Sequence, residues 1–285
     1  MQNVPDRLSN YLLTEIDPAF ADRAWLIFQA VAHRQPAQIL EIGCGRGFYV
    51  NALAEFKAVK RIDGIEIEPA YLAQAQQVVT NKKVHLIEAS AYALPYSNHS
   101  FDMVLLTEVL EHLTDEKQAL REIRRVLKPG GWLVVTVPSV DFPFWWDPLN
   151  WLLMRSLKTH VNQRIWWLAG IWAGHQRLYS ASQLQLGLIK AGFVVEAYQG
   201  VTRFCWPATH FWLYGVGKNL VERCGWKSFS RFNLDQQKPL ARVVAYCMSL
   251  PERILGNWRP HLVQDDKLVS AERTDFTNHF VIARS

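Results

Sequence analysis

Two hydrophobic rhythms alternate along the first half of this chain. Short apolar runs, Gln38-Ile39-Leu40-Glu41-Ile42, Arg61–Glu66, Val84–Glu88 and Phe101–Thr107, have the length of buried strands. Between them apolar residues recur every three or four positions, as on a helix. The first such stretch follows Asp17-Pro18, an N-cap with proline at the first helical position, and places Phe20, Trp25, Phe28 and Val31 on one face. Further helices are predicted from Phe48 to about Phe56, from Pro69 through Val79, and from Thr114 to Leu127. In the last of these Leu120, Ile123 and Leu127 share a face, and Asp115 and Glu116 suit the helix start. Lys128-Pro129-Gly130-Gly131 is read as the stop signal of that helix and the turn into a fifth strand, Trp132–Val137.

Repeated strand-helix-strand order predicts an α/β fold. The sheet should be doubly wound and mostly parallel, with right-handed crossovers and helices on both faces. After Pro138 the regular pattern breaks. It resumes with a helix over Ser180–Ala191, a glycine stop at Gly192 and a strand over Phe193–Ala197, then breaks again until a last strand at His279–Ala283, the seventh. Residues 1–285 therefore read as a single domain with a core at 36–137. Two aromatic-rich helical insertions, 139–178 and 200–275, follow the fifth and sixth strands.

Composition narrows the function classes. The chain is 49% hydrophobic and 20% charged, which excludes disorder. Its net charge of +5 is unevenly placed: −2 over residues 1–140 and +7 over residues 141–285. The four cysteines, Cys44, Cys205, Cys224 and Cys247, form no C-x-x-C pair, and no secretory leader pattern precedes them. Reduced thiols in the cytoplasm are the expectation. The longest run free of Asp, Glu, Lys and Arg is Phe204–Gly217, 14 residues, below the roughly 20 that span a bilayer.

Glu41-Ile42-Gly43-Cys44-Gly45-Arg46-Gly47 links the first strand to a helix, at the strand end where open α/β sheets bind ligands. Glycines there let a ligand approach the backbone and leave N–H groups free near a helix N-terminus. Glu66 ends the second strand, 23 positions after Gly43, where an acid can accept hydrogen bonds from both hydroxyls of a ribose. Glu68 is the competing acid; Glu66 is preferred because it directly follows the apolar run. A nucleoside ligand fits this spacing. A nicotinamide dinucleotide fits less well, because its fingerprint wants a third glycine at position 48, which is Phe48.

Four segments in order carry a resemblance. Leu40 to Gly47, Ser90-Ala91-Tyr92-Ala93-Leu94-Pro95-Tyr96 through Ser100-Phe101-Asp102, Val109-Leu110-Glu111-His112-Leu113, and Leu127-Lys128-Pro129-Gly130-Gly131 resemble the class I S-adenosylmethionine-dependent methyltransferases with a methyltransferase-11-type core. The resemblance covers about residues 36–137 and implies a Rossmann-like fold, S-adenosyl-L-methionine as cofactor and methyl transfer as the activity. Carried over by position, it implies that Glu41 faces the methionine amino end, that Gly43, Gly45 and Gly47 line the cofactor, and that Glu66 with the neighbouring Ile67 holds the ribose. Ser90 and Ala91 should flank the adenine, and Thr107, followed by Glu108, should lie beside the sulfonium and the acceptor. At Ser90 the chain departs from the family, which commonly has an aspartate there; a serine oxygen accepts without charge assistance, weaker by about 1 kcal/mol.

Methyl transfer is an in-line displacement that needs alignment more than a dedicated catalytic group. No catalytic residue and no metal ligand is assigned from the sequence. His112 and His175 could serve a hydroxyl acceptor as general bases, but a structural role competes for each. Ten of the twelve tryptophans lie between Trp145 and Trp258, inside the insertions. Those segments leave strand ends on the ligand side and can roof an acceptor pocket suited to a lipophilic small molecule. A second reading places them against an anionic membrane surface, through Arg155, Lys158, Arg164, Arg203, Lys218 and Arg223; a third puts the aromatics in the core of a helical subdomain. Nucleic acid is disfavoured, since the basic residues are dispersed and no binding module appears. A nicotinamide-dependent oxidoreductase and a catalytically weak, membrane-bound scaffold are the alternatives in function.

Overall fold

The computed structural model describes residues 4–165, 167–217, 239–255 and 275–285. Trp166, Lys218, Arg223, Cys224 and Trp258, and with them much of the second insertion, lie outside these. Seven strands form one sheet in the order β3-β2-β1-β4-β5-β7-β6: β1 (Gln38–Ile42), β2 (Arg61–Glu66), β3 (Val84–Glu88), β4 (Phe101–Thr107), β5 (Leu127–Pro138), β6 (Val194–Val201) and β7 (Asn278–Arg284). β1 to β5 run parallel, and β7 lies antiparallel between β5 and β6. The sheet is thus doubly wound and mostly parallel, as the alternation of rhythms implied.

Helices cover both faces. A short helix, α1 (Asp6–Leu12), precedes the predicted first one, α2 (Pro18–Arg34), whose N-cap Asp17 accepts from the N–H groups of Ala19 and Phe20. α3 (Phe48–Leu53) and α4 (Pro69–Val78) follow β1 and β2. α5 (Glu116–Val126) is capped by Asp115, and α7 (Ala181–Lys190) begins with a reciprocal capping box between Ser180 and Gln183. One core packs α1, α2 and α3 onto one face of the sheet through Leu26, Phe28, Val50 and Ile62; a second packs α5 and α7 onto the other through Leu120, Ile123, Leu184 and Val135.

One boundary differs from the sequence reading. α5 stops at Val126, and Leu127 already pairs with Phe101. The next pair is Trp132 with Met103, so Lys128-Pro129-Gly130-Gly131 bulges out of the ladder instead of forming a turn before it. Gly131 makes this fold-back fit, since a Cβ there would sit 2.9 Å from the Lys128 carbonyl.

The segments 139–178 and 200–275 contain, among the described residues, helix α6 (Pro148–Leu157), a wide helical turn at Phe211–Gly217 and a helix over Pro239–Leu255. The first two pack on a third core, in which Phe142, Trp146, Ile171 and Leu178 of one insertion meet Cys205 of the other and Ala19 of α2. A buried polar knot ties this cap. Asp147 accepts from the backbone N–H groups of Asn150 and Ile171 and from the Asn150 amide, which also donates to the Ala169 carbonyl. Gly170, at φ +59°, leaves room for the Asp147 carboxylate, which a Cβ would meet at 1.8 Å. Asp147→Ala removes an N-cap and leaves buried donors unpaired. It should cost about 2–4 kcal/mol of stability in urea denaturation; a loss below 0.5 kcal/mol would mean that the knot does not hold the cap.

Candidate active site

The chain order reverses between β1 and β4, so the loops after their carboxyl ends diverge and leave a crevice. Into it runs the glycine loop, whose three glycines all adopt positive φ: +72° at Gly43, +53° at Gly45 and +85° at Gly47. Their side-chain directions differ. A Cβ on Gly43 would lie 2.4 Å from a Val109 methyl, and one on Gly47 would lie 2.8 Å from a Val79 methyl, whereas a Cβ on Gly45 meets nothing within 4 Å. Gly43 and Gly47 therefore let the loop pack against Val109 and Val79, and Gly45 borders open space.

Two acids stand beside this loop. Glu66, buried at the end of β2, accepts from the N–H groups of Gly45 (2.8 Å), Ile67 (2.8 Å) and Glu68 (3.0 Å). Glu68 is exposed and caps α4 through the Ala70 N–H, so the two acids have different tasks. Glu41 is buried, and its Oε2 has no hydrogen-bond partner. Burial pushes its carboxyl up to about 8; the Val50 N–H works against this and the nearby Glu66 adds to it. The glycine loop thus carries a buried acceptor without a partner, an acid bound by three backbone N–H groups and a glycine that borders open space.

The remaining predicted residues extend the same rim. Ile67 follows Glu66 and is 67% exposed, while the backbone N–H of Ala89, next to Ser90, donates to the Glu66 carbonyl. Ser90 Oγ accepts from the Tyr92 N–H at 3.2 Å, and Ala91 is buried. Thr107 is buried at the end of β4, opposite Thr136.

Beyond Thr107 the structure surrounds Glu108, which the sequence places there, with partners that it does not: Arg23, Thr136 and Asn278. Glu108, in the left-handed region at φ +54°, accepts from Thr136 Oγ1 (2.9 Å), Asn278 Nδ2 (2.8 Å) and Arg23 Nη1 (3.2 Å). Burial works against the Arg23 charge, but Glu108 and its neighbours more than offset it and hold the guanidinium above its ordinary value. Asn278 arrives from the last strand and Arg23 from α2, and only the fold brings them to Glu108. The one sequence signal was a charged residue among the buried positions Ala21, Asp22 and Ala24.

His112 and His175, considered separately in the sequence, meet with ring centroids 4.9 Å apart. The segment carrying His175 is pinned to the turn after β4 by Gln176, whose backbone N–H donates to the Glu111 carbonyl and whose side chain donates to the His112 carbonyl. Burial, then the neighbouring His112, lowers the pKa of His175. Burial, reinforced by Glu108, raises that of Glu111 well above the carboxylate range. The cap holds a cavity of about 180 Å³, away from the glycine loop, lined by Trp146, Leu149, Trp167, Leu168, His210 and Phe211 among others.

Residues 40–135 match a family model described as a methyltransferase domain. A probable S-adenosylmethionine-dependent methyltransferase of Mycolicibacterium smegmatis is 32% identical over 136 residues, 47% of this chain and 51% of that protein. A demethylmenaquinone methyltransferase of Lactiplantibacillus plantarum is 40% identical over 103 residues, 34% of this chain and 44% of that protein. The chain thus spans about half the length of the curated relatives it matches. Among solved structures, a putative methyltransferase of Bacillus halodurans superposes with a TM-score of 0.54 at 19% identity, over 93% of this chain and 98% of that one. A [4+2]-cyclase superposes equally well, 0.54 at 22% identity, over 93% and 81%. At such identities the likeness speaks for the fold, and one fold can host several chemistries. Over residues 40–135 the sequence is similar to a methyltransferase domain and the sheet has the class I methyltransferase fold, a similarity that implies S-adenosylmethionine as the cofactor.

Proposed function

We propose that the chain transfers a methyl group from S-adenosylmethionine to a small hydrophobic or lipid-like acceptor, at or near an anionic membrane surface. In this reading Glu66 holds the ribose hydroxyls. Its oxygens retain lone pairs beyond the three backbone donors. Glu41 accepts from the methionine ammonium, Gly43, Gly45 and Gly47 shape the bed, Ile67 covers the ribose, and Ser90 and Ala91 flank the adenine. Thr107 and the Glu108 group border the place where the methyl group and the acceptor meet, and alignment supplies most of the rate.

The observation that carries the acceptor class is the inverted polarity of α6. It buries Asn150 and turns Leu149, Leu152 and Leu157 outward, beside Trp145 and Trp167, which are 46% and 48% exposed. Exposed Arg155 stacks over Trp151 at 4.3 Å, and Lys158 and Arg164 are exposed nearby. An apolar face bordered by cations suits an anionic bilayer surface or a lipophilic molecule drawn from one. Among the described residues no helix is long and apolar enough to cross a membrane. Relatives named demethylmenaquinone methyltransferase are compatible with a lipophilic ring as acceptor.

Titration with S-adenosylhomocysteine, with NADH as control, tests the cofactor, and turnover of labelled S-adenosylmethionine against lipophilic acceptors tests the reaction. Binding of NADH alone would overturn the reading. For the membrane, sedimentation with phosphatidylglycerol vesicles should pull the protein down at low salt and release it as salt screens the contact, the screening length being about 10 Å at 0.1 M. Reversing Arg155, Lys158 and Arg164 to Glu should abolish pelleting. No pelleting of the wild type at low salt would remove the membrane from the proposal.

A further inference from the structure

Glu111, His112 and His175 place three acceptor atoms around one point with no donor between them. The Glu111 side chain is fully buried, and neither of its carboxylate oxygens has a hydrogen-bond partner. The Nδ1 atom of His112 lies 2.8 Å from the Gly174 carbonyl, and that of His175 lies 2.6 Å from the Ile171 carbonyl. A carbonyl only accepts, so both Nδ1 atoms carry hydrogen, and each neutral ring has its lone pair on Nε2. Those two Nε2 atoms face Glu111 Oε1 at 3.9 and 3.8 Å.

Such a convergence is unfavourable by itself, because a fully buried carboxyl group with neither oxygen hydrogen-bonded forgoes the bonds it would make in water. A shared proton does not resolve it, since 3.8 Å is too long for an N–H···O bond. A cation does. Bonds of about 2.1 Å put neighbouring ligands roughly 3.0–3.4 Å apart, so the two Glu111–histidine separations need to shorten by about half an ångström, and all three ligand atoms already lie within 4.8 Å of one another. The backbone carbonyls on both Nδ1 atoms are the outer partners that orient metal-bound imidazoles. The Gln176 bonds hold the two ligand segments together before any ion arrives.

We propose that Glu111, His112 and His175 bind one divalent first-row transition ion of the zinc type. Two imidazoles and one carboxylate are a common ligand set for such ions and leave coordination positions open to exogenous oxygen. The site follows the turn after β4, three residues from Glu108. On the methyltransferase reading, with which this second step stands or falls, the open positions take a hydroxyl or phenol oxygen of the acceptor. Coordination would lower the pKa of that hydroxyl so that its proton leaves to solvent, and the oxygen anion would then take the methyl group as the sulfonium carbon–sulfur bond breaks and S-adenosylhomocysteine departs.

The test is titration of tag-free, chelator-treated protein with Co²⁺, followed by visible absorption, and then with Zn²⁺ in competition. The expected result is one equivalent of Co²⁺ with ligand-field bands that Zn²⁺ abolishes. His112→Ala and His175→Ala should each weaken Zn²⁺ by about 100-fold or more. Glu111→Gln, which keeps shape and volume, should do the same and guards against loss through misfolding. Absence of Co²⁺ and Zn²⁺ uptake by the wild type, or uptake that survives all three substitutions, would overturn the site. The same wild-type samples are titrated with S-adenosylhomocysteine: metal uptake without cofactor binding would keep the ion and remove its role toward a methyl acceptor.

Discussion

Gly45→Val should lower the affinity for S-adenosylhomocysteine by at least about 100-fold, roughly 2.7 kcal/mol, while the protein stays folded. Two causes act together. Gly45 sits at φ +53°, where a β-branched residue is strained by about 1–3 kcal/mol, and its N–H fixes the Glu66 carboxylate. The new side chain also projects into space that no other group of the protein fills within 4 Å, the space proposed for the cofactor. Gly45→Asn separates these causes, because asparagine tolerates the left-handed region and still occupies the volume. Both variants should lose binding while melting within a few degrees of the wild type. Normal binding by the asparagine variant would place the cofactor elsewhere, whatever valine does.

The sequence made the framework legible because its local signals agree with one another. Asp17-Pro18, Glu68-Pro69, Asp115 and Ser180 start helices where capping chemistry says they should, and the apolar runs mark strands, of which β1, β2 and β4 are buried while the edge strand β3 is partly exposed. Lys128-Pro129-Gly130-Gly131 reads as a helix stop and turn because Pro and two glycines usually make one; the four residues instead bulge between the Leu127–Phe101 and Trp132–Met103 pairs, which put Leu127 in the strand. The helix at Asp6–Leu12 carries no clear periodic signal because it is two turns long, and it is anchored by burying Leu8, Tyr11 and Leu12. The tryptophan-rich insertions divide in a way no count reveals. Trp146 is buried in the third core, while Trp145 and Trp212, at 46% and 57% exposure, face outward. Aromatic content alone cannot distinguish those environments.

The site shows the same division. Glu41, the three glycines and Glu66 lie within 26 positions, on two adjacent strands and the loop that follows the first, so spacing along the chain translates directly into spacing in the cleft. Arg23, Asn278 and Glu108 are joined only by the sheet order, with 170 residues separating the last two. His112 and His175 each read as ordinary because their significance lies in facing one another across Glu111, which a single chain pattern does not encode.

Glu41 makes cofactor binding and stability depend on pH in opposite directions. Its carboxyl lies at about 8 in the folded protein against an ordinary 4.5, so the native state holds a proton that the unfolded chain releases. The stabilisation from this is fully present below about pH 4.5 and is lost as pH rises through 8, at up to about 1.4 kcal/mol per unit in between. In the proposed complex the methionine ammonium favours the carboxylate, so binding expels that proton. Affinity should therefore rise toward pH 8, by at most tenfold per unit, and then level off. Calorimetry at pH 6.5 in buffers of different ionisation enthalpy should detect nearly one proton released per S-adenosylhomocysteine bound. Glu41→Gln should remove the proton release, flatten both pH profiles and weaken binding, while making the ligand-free protein more stable at pH 8. Proton release that persists in this variant would assign the titration to another group. An unchanged affinity would show that the methionine end does not lie on Glu41.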